Sequence, residues 1–350
     1  MIVDRDFCIS SYLTFRYVVS EGIAWKSDII PDFPSSHEQG VYKVRTAKEI
    51  LSRLRTIVQQ AAKEHRTGVL LSSGIDSAII AALLAQSTRA YTVQFSADWA
   101  TDEATFAAET ARMLGLDHTV VRVSWDDYME NVDRLMCMKR APLHAAEVGL
   151  FMAAKTASLQ GIDILFVGNG ADSTFGGLDR LLSSDWTFEE FVRRYTFLEP
   201  AQVVRSPRSM RSVYEAYRVG HGLDVMRFLK TVHGLGILQM FENAIHAAAC
   251  TMIAPFEQLA LGIPLDIDRI RRGEPKYLLK EVFHTLYPNV HAQGKIAFAR
   301  PMDQWLSDWD GPSRPEFIDG LDVSILTGEQ RWLLFCLERF LNLIETWKGR

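Results

Sequence analysis

Apolar positions along this chain recur with two periods, and the change between them divides it into regions. In residues 46–64, Ile50, Leu51, Leu54 and Ile57 return at helical spacing, which predicts an amphipathic helix. From residue 68 short apolar runs alternate with longer helical stretches. The runs 68–71, 90–95, 118–123 and 164–167 read as strands. Helices are expected after the first three, at 77–86, at about 102–114 between Thr101 and Gly115, and near 126–138 and 145–159. Repeated strand-then-helix predicts an α/β fold with a parallel sheet core over about 66–180. Ligands in such sheets sit beyond the carboxyl ends of the strands. Beyond about 181 the pattern is mostly helical to 350, with segments near 187–196, 211–230, 235–250, 276–286 and 328–346. Residues 1–45, with Pro31 and Pro34, read as an irregular N-terminal extension to a main domain at 46–350.

Two of the expected strands run into glycine-rich loops. The first is Gly68-Val-Leu-Leu-Ser-Ser-Gly-Ile-Asp-Ser77, followed by an apolar helix. A turn of this kind gathers backbone N–H groups and hydroxyls at a helix N-terminus, which suits phosphate. Gly74 allows close backbone approach. Asp76 makes sense beside phosphates if it holds Mg²⁺, which takes oxygen ligands. The Lys of a Walker loop is missing, so that reading fails. A plain capped turn between strand and helix would use the same residue types. The second loop, Val167-Gly-Asn-Gly-Ala-Asp-Ser-Thr-Phe-Gly-Gly177, falls on the same sheet edge. There Asp172 could supply a second carboxylate, and Gly168 and Gly170 could let backbone reach a nucleotide.

Composition narrows the classes. Of 350 residues 48% are hydrophobic, enough for a large core, and the formal net charge is −5 with both signs mixed. That opposes a nucleic-acid interface, which needs clustered Lys and Arg. Cys8, Cys137, Cys250 and Cys336 are scattered without metal or disulfide spacing, as expected of buried thiols in a reducing compartment. No apolar run reaches membrane-spanning length, and the charged N-terminus does not read as a signal peptide. A cytoplasmic protein without membrane contact is expected. Trp305, Trp309, Trp332 and Phe335 read as core or interface, and His144 and His246 as packing or polar satisfaction.

The first loop resembles the S-G-G-x-D-S loop of PP-loop ATP pyrophosphatases, with Ser73 where the family usually has its first Gly. The second resembles the G-E-G-A-D-E-x-F-G-G segment of asparagine synthetases. Thr101-Asp-Glu103 with Leu114-Gly-Leu-Asp-His118, Ala254-Pro-Phe256, Pro275-Lys-Tyr-Leu-Leu-Lys280, and Lys295 with Phe298-Ala-Arg-Pro301 follow in that family's order. Ser11-Tyr-Leu-Thr-Phe-Arg-Tyr17 is similar to the segment that precedes its synthetase domain. Glutamine-using members begin with a glutaminase domain whose nucleophile is a Cys after the initiator Met. Here residue 2 is Ile2 and fewer than 70 residues precede the first loop, so a synthetase domain standing alone is expected.

The resemblance implies acyl adenylation by ATP with Mg²⁺, followed by amide formation. Asp76 and Asp172 would hold the metal. Ser72, Ser73, Gly74 and Ser77 would cradle pyrophosphate, with Asp102 on that side. Leu71, Val93 and Gly168 would line the adenosine pocket. Lys295 and Asn169 are the catalytic candidates, while Lys276 reads as either a site lysine or a helix-surface salt bridge. The implied partners are a small-molecule or peptide carboxylate and an amine or ammonia donor, free or supplied by a separate protein; a homo-oligomer is compatible with this. The pattern departs from the family on the acceptor side. Asn169 and Ser173 replace the two Glu of G-E-G-A-D-E, Thr251 and Ile253 stand where S-x-E-x-R has Glu and Arg, and Gln258 replaces an Asp. An acceptor other than aspartate, less polar or larger, is therefore expected. The alternatives are an ammonia-dependent asparagine synthetase, a tRNA-modifying PP-loop enzyme, opposed by charge and cysteine placement, and a catalytically silent nucleotide-binding homologue.

Overall fold

A five-stranded sheet organises the protein. The structure, a computed structural model, describes residues 1–34, 41–97, 103–290 and 300–346. The strands are β1 (Thr67–Leu70), β2 (Arg89–Phe95), β3 (Asp117–Val123), β4 (Ile164–Phe166) and β5 (Thr251–Ile253). All neighbours run parallel, in the order β5-β4-β1-β2-β3. The order reverses beside β1, whose neighbours are β2 and β4. This is the switch point at which loops diverge and open a crevice. The β1 and β4 loops flank it, as the pattern predicts.

Alternate strand residues enter two cores, so both faces of the sheet are covered. Val69, Leu71 and Ala90 join one core with helices α2 (Ala47–Glu64), α3 (Ile75–Ala81), α4 (Glu103–Leu114) and α10 (Tyr277–Leu286). Tyr91, Val93, Leu165 and Val167 join the other with α1 (Arg5–Phe15), α5 (Trp125–Lys139), α6 (Glu147–Leu159), α9 (Gly234–Ala247) and α11 (Gly328–Thr346). Between them in sequence lie the short α7 (Ala171–Phe175) and α8 (Phe188–Tyr195). The long α2 starts at Thr46, whose side chain accepts from Glu49 N–H, as a helix-start residue should. Trp305, Trp332 and Tyr128 pack edge to face with ring centroids 5.0 and 5.4 Å apart, so these aromatics are core.

Four expectations need correction. The N-terminal stretch is not irregular: α1 is helical and eight of its residues are buried. The segment 211–230 is not one helix. It breaks into Arg211–Glu215, a hairpin of Arg218–Val219 with Gly222–Leu223, and Val225–Phe228; Gly220 at φ +56° supplies the turn. The α3 helix ends at Ala81, short of the expected 86. The fifth strand, β5, had no place in the expected pattern.

Candidate active site

Two short loops meet at the switch point. In the first, after β1, the serines bond one another. Ser72 N–H donates to Ser77 Oγ at 3.0 Å, the two hydroxyls are 2.9 Å apart, and Gly74 N–H donates to Ser72 Oγ at 3.2 Å. These local bonds set the turn. Ser73 N–H donates to Glu103 Oε1 at 3.3 Å. Glu103 is buried, and burial raises its pKa against the pull of Ser73.

The second loop touches the first. A side chain at 168 would meet Asp76 Cβ at 3.0 Å and Ser77 N at 3.2 Å, so Gly168 is what allows the two loops to close together. Gly170 has φ +89°, and a Cβ there would meet the Glu257 backbone N at 2.8 Å. Both strain and contact require glycine at 170.

The two carboxylates expected to hold metal do converge, and a lysine joins them. Lys276 Nζ lies 2.5 Å from Asp76 Oδ2 and 2.6 Å from Asp172 Oδ1. Lys276 is buried, just ahead of α10, with φ 54°. It is not a helix-surface salt bridge. Burial alone would lower its pKa, but Asp76 and Asp172 beside it hold the ammonium firmly protonated.

The donor set fits Mg²⁺ of the kind that nucleotide phosphates complete. Two carboxylates from the first turns of α3 and α7 already converge on one cation, and Mg²⁺ is often bound by one or two carboxylates together with substrate phosphates. Among the described residues no group of three or more metal-ligating side chains exists.

Asn169 is tied to a residue that the sequence reading missed. Asn169 Nδ2 donates to Glu257 Oε1 at 2.9 Å. That bond directs the amide nitrogen at Glu257 and leaves Asn169 Oδ1 as the acceptor available to a ligand. Burial pushes the Glu257 carboxyl up to about 6, with Lys230 pulling the other way. Only the fold brings residues 169 and 257 together; Glu257 lies between Phe256 and Gln258 of a family-like segment, but nothing in that segment singles it out.

The loops open into a cavity of about 670 Å³. Of the expected site residues, Leu71, Ser72, Ser73, Gly74, Asp76, Ser77, Val93, Gly168, Asn169 and Asp172 line it. Lys295 and Asp102 lie outside the described residues. Ile253 is not among the lining residues; it pairs with Phe166 in the sheet. An acceptor preference therefore cannot be read from Ile253. Arg16, His144, His233 and Arg300 line the cavity instead. His144, read as packing or polar satisfaction, has polar partners in Ala146 N–H and Arg16 and also faces the site.

Comparison with known proteins agrees with this architecture. The family model described as asparagine synthase matches residues 49–250. The chain is 26% identical over 161 residues to a protein named amidase chyE from Penicillium rubens. It is 28% identical over 159 residues to one named amidase chry2 from Gibberella zeae. Each match covers 39% of this chain and 24% of the relative, about a quarter of those curated proteins.

Proposed function

The chain belongs to the asparagine synthase family, and on that premise we propose that it is an ATP-dependent, AMP-forming ligase that joins a carboxylate to an amine or ammonia. The observation that carries this reading is the convergence of Asp76 and Asp172 on Lys276 at the mouth of a serine-glycine loop. This is an arrangement for handling the negative charge of a polyphosphate.

An oxygen of the substrate carboxylate attacks the α-phosphorus of ATP. The bond from that phosphorus to its bridging oxygen breaks, and pyrophosphate departs with the electron pair. The Ser72 hydroxyl holds the departing oxygens, and Lys276 offsets their charge. Asp76 and Asp172 would hold Mg²⁺, which supplies further charge neutralisation when bound. The amine nitrogen then attacks the acyl carbon, the bond to AMP breaks, and the nitrogen loses a proton. Asn169 Oδ1 is suited to accept a hydrogen bond from that amine and orient it, and the Glu257 contact holds the amide in the required sense. The family match supports ATP use and amide formation; the two relatives, both named amidases, concern the same class of bond.

The test is incubation with ATP, Mg²⁺ and a panel of carboxylates, aspartate included, with and without ammonium, followed by assay of AMP and pyrophosphate. Carboxylate-dependent pyrophosphate that disappears in Asp76→Ala supports the reading. ATP binding with no pyrophosphate from any carboxylate would favour the catalytically silent homologue instead.

A further inference from the structure

Lys276 takes the position between two carboxylates that a divalent cation would need, and the chain builds that placement deliberately. Its Nζ lies 2.5 Å from Asp76 Oδ2 and 2.6 Å from Asp172 Oδ1. Its backbone has φ 54°, a left-handed conformation unfavourable for a residue with a side chain. The following helix holds it there. Lys276 O accepts from Lys280 N–H at 2.9 Å. At the far end of α10, Tyr287 Oη donates to Ala78 O of α3 at 2.7 Å. The helix that carries the lysine is thus tied to the helix that carries Asp76.

Gly177 clears the path of the lysine stem. A Cβ at 177 would meet Lys276 Cε at 2.1 Å and Asp172 Oδ1 at 1.9 Å. The backbone of Gly177 is not left-handed, so space rather than conformation calls for glycine here. Sequence, backbone and packing all serve one contact, the ammonium between the two aspartates.

Two cations cannot share this position. An incoming Mg²⁺ meets an ammonium where it needs the two oxygens. Moving the ammonium away leaves a buried charge that requires another anion. Lys276 is buried, and it lines the cavity together with Ser72, Ser73 and Gly74. A polyphosphate on that loop offers the ammonium an anion and brings the metal further oxygens. Mg²⁺ arriving alone offers neither.

We propose that Lys276 is a placeholder for the divalent cation. It keeps Asp76 and Asp172 from binding free metal, and it yields them only to a metal that arrives with a nucleotide, whose phosphates then receive the ammonium. This rests on the nucleotide-site reading above and adds an order to it: metal with nucleotide, not before it. Lys276 accordingly has two positions, between the aspartates before loading and on the phosphates afterwards. The charge it offsets on departing pyrophosphate belongs to the second.

The test titrates the full chain with Mn²⁺, which takes the same oxygen ligands as Mg²⁺, and reads the free ion by electron paramagnetic resonance. Without nucleotide, Lys276→Met should bind Mn²⁺ at least about tenfold more tightly than wild type. Adding Asp172→Asn to Lys276→Met should erase that gain, and the surface change Lys63→Met should produce none. Lys276→Gln provides the same test if Lys276→Met does not fold. In calorimetry on wild type, Mn²⁺ should strengthen binding of α,β-methylene-ATP by at least about tenfold. The proposal is overturned if wild type binds Mn²⁺ alone as tightly as the Lys276 variants do, or if their gain survives Asp172→Asn. It is also overturned if Mn²⁺ leaves the affinity of wild type for the analogue unchanged. Pyrophosphate assays separate the two levels. Carboxylate-dependent pyrophosphate from wild type, with no gain of Mn²⁺ affinity in the variants, sinks this inference alone. The expected metal and analogue binding, with no pyrophosphate from any carboxylate, sinks the ligase reading alone.

Discussion

The loop wall of the cavity and its cationic wall are built differently. On the loop wall Ser72, Asp76 and Ser77 are close neighbours in sequence, and Ser72 and Ser77 bond one another within one turn, with only Asp76 reaching out to Lys276. On the cationic wall Arg16, His144 and Arg300 come from three separate places. Each needs scaffolding from other elements, most visibly the buried Lys139–Glu147 pair at 2.5 Å beneath His144. The difference teaches where damage should appear. Loop residues carry chemistry on a cheap local frame. The cationic wall cannot be disturbed without disturbing the core.

The sharpest test of that contrast is Asp172→Ala. Carboxylate-dependent pyrophosphate release should fall about 10³-fold, while the urea midpoint moves little. A large stability loss with modest activity loss would break the comparison. Lys139→Met should do the converse. Its partner Glu147 would be left buried and charged, at a cost of about 3–5 kcal/mol in denaturant unfolding. A stable Lys139→Met protein would show that this wall is less dependent on its scaffold than the geometry implies.

Glu257→Gln probes the border between the two, because it supports a loop residue from a half-buried position. The wild-type carboxyl titrates at about 6 when folded, against an ordinary value near 4.5. Below the ordinary value it is neutral folded or unfolded and costs nothing. As pH rises toward 6 the unfolded chain ionises first and stability is lost, up to about 2 kcal/mol above that window. Wild type should therefore lose stability relative to Glu257→Gln between about pH 4.5 and 6, which unfolding curves at several pH values would register. A flat difference would mean that the carboxyl is not held in a desolvated state. The smallest effect is expected of Tyr128→Phe, which removes the donor to Ala145 O. About 1 kcal/mol of stability should go, read as a small fall in the urea midpoint; an unchanged midpoint would argue against a role in steadying the His144 loop.

What the sequence revealed follows the same division. The alternation of short strands and helices was readable because β1, β2 and β3 each carry local periodicity and both glycine loops lie within single stretches. Helix α1 was not readable, since Cys8 through Phe15 are all buried and leave no polar face to reveal a period. Its serines serve tertiary contacts: Ser10 Oγ accepts from Arg208 N–H at 2.9 Å and Ser11 Oγ donates to Tyr17 O at 3.0 Å. Strand β5 has three residues, too few to show alternation. Lys276 was visible as a residue of a family-like segment, but its position between two aspartates depends on α10 packing against α3. The Asn169–Glu257 bond and the Arg16–His144 contact are tertiary facts that the family-like segments around Glu257 and Arg16 do not announce.

The register of β5 has a consequence for how the chain comes together. Ile253 pairs with Phe166, so the sheet's last strand arrives only after the chain has passed through the whole excursion that begins at residue 167. A ribosome-bound chain that has just released β4 exposes an unpaired strand edge. That edge stays uncovered until residues 251–253 emerge. Exposed edges invite pairing with foreign strands, and late, non-local pairing slows folding. The period between the synthesis of these two strands is when this protein is most vulnerable to aggregation.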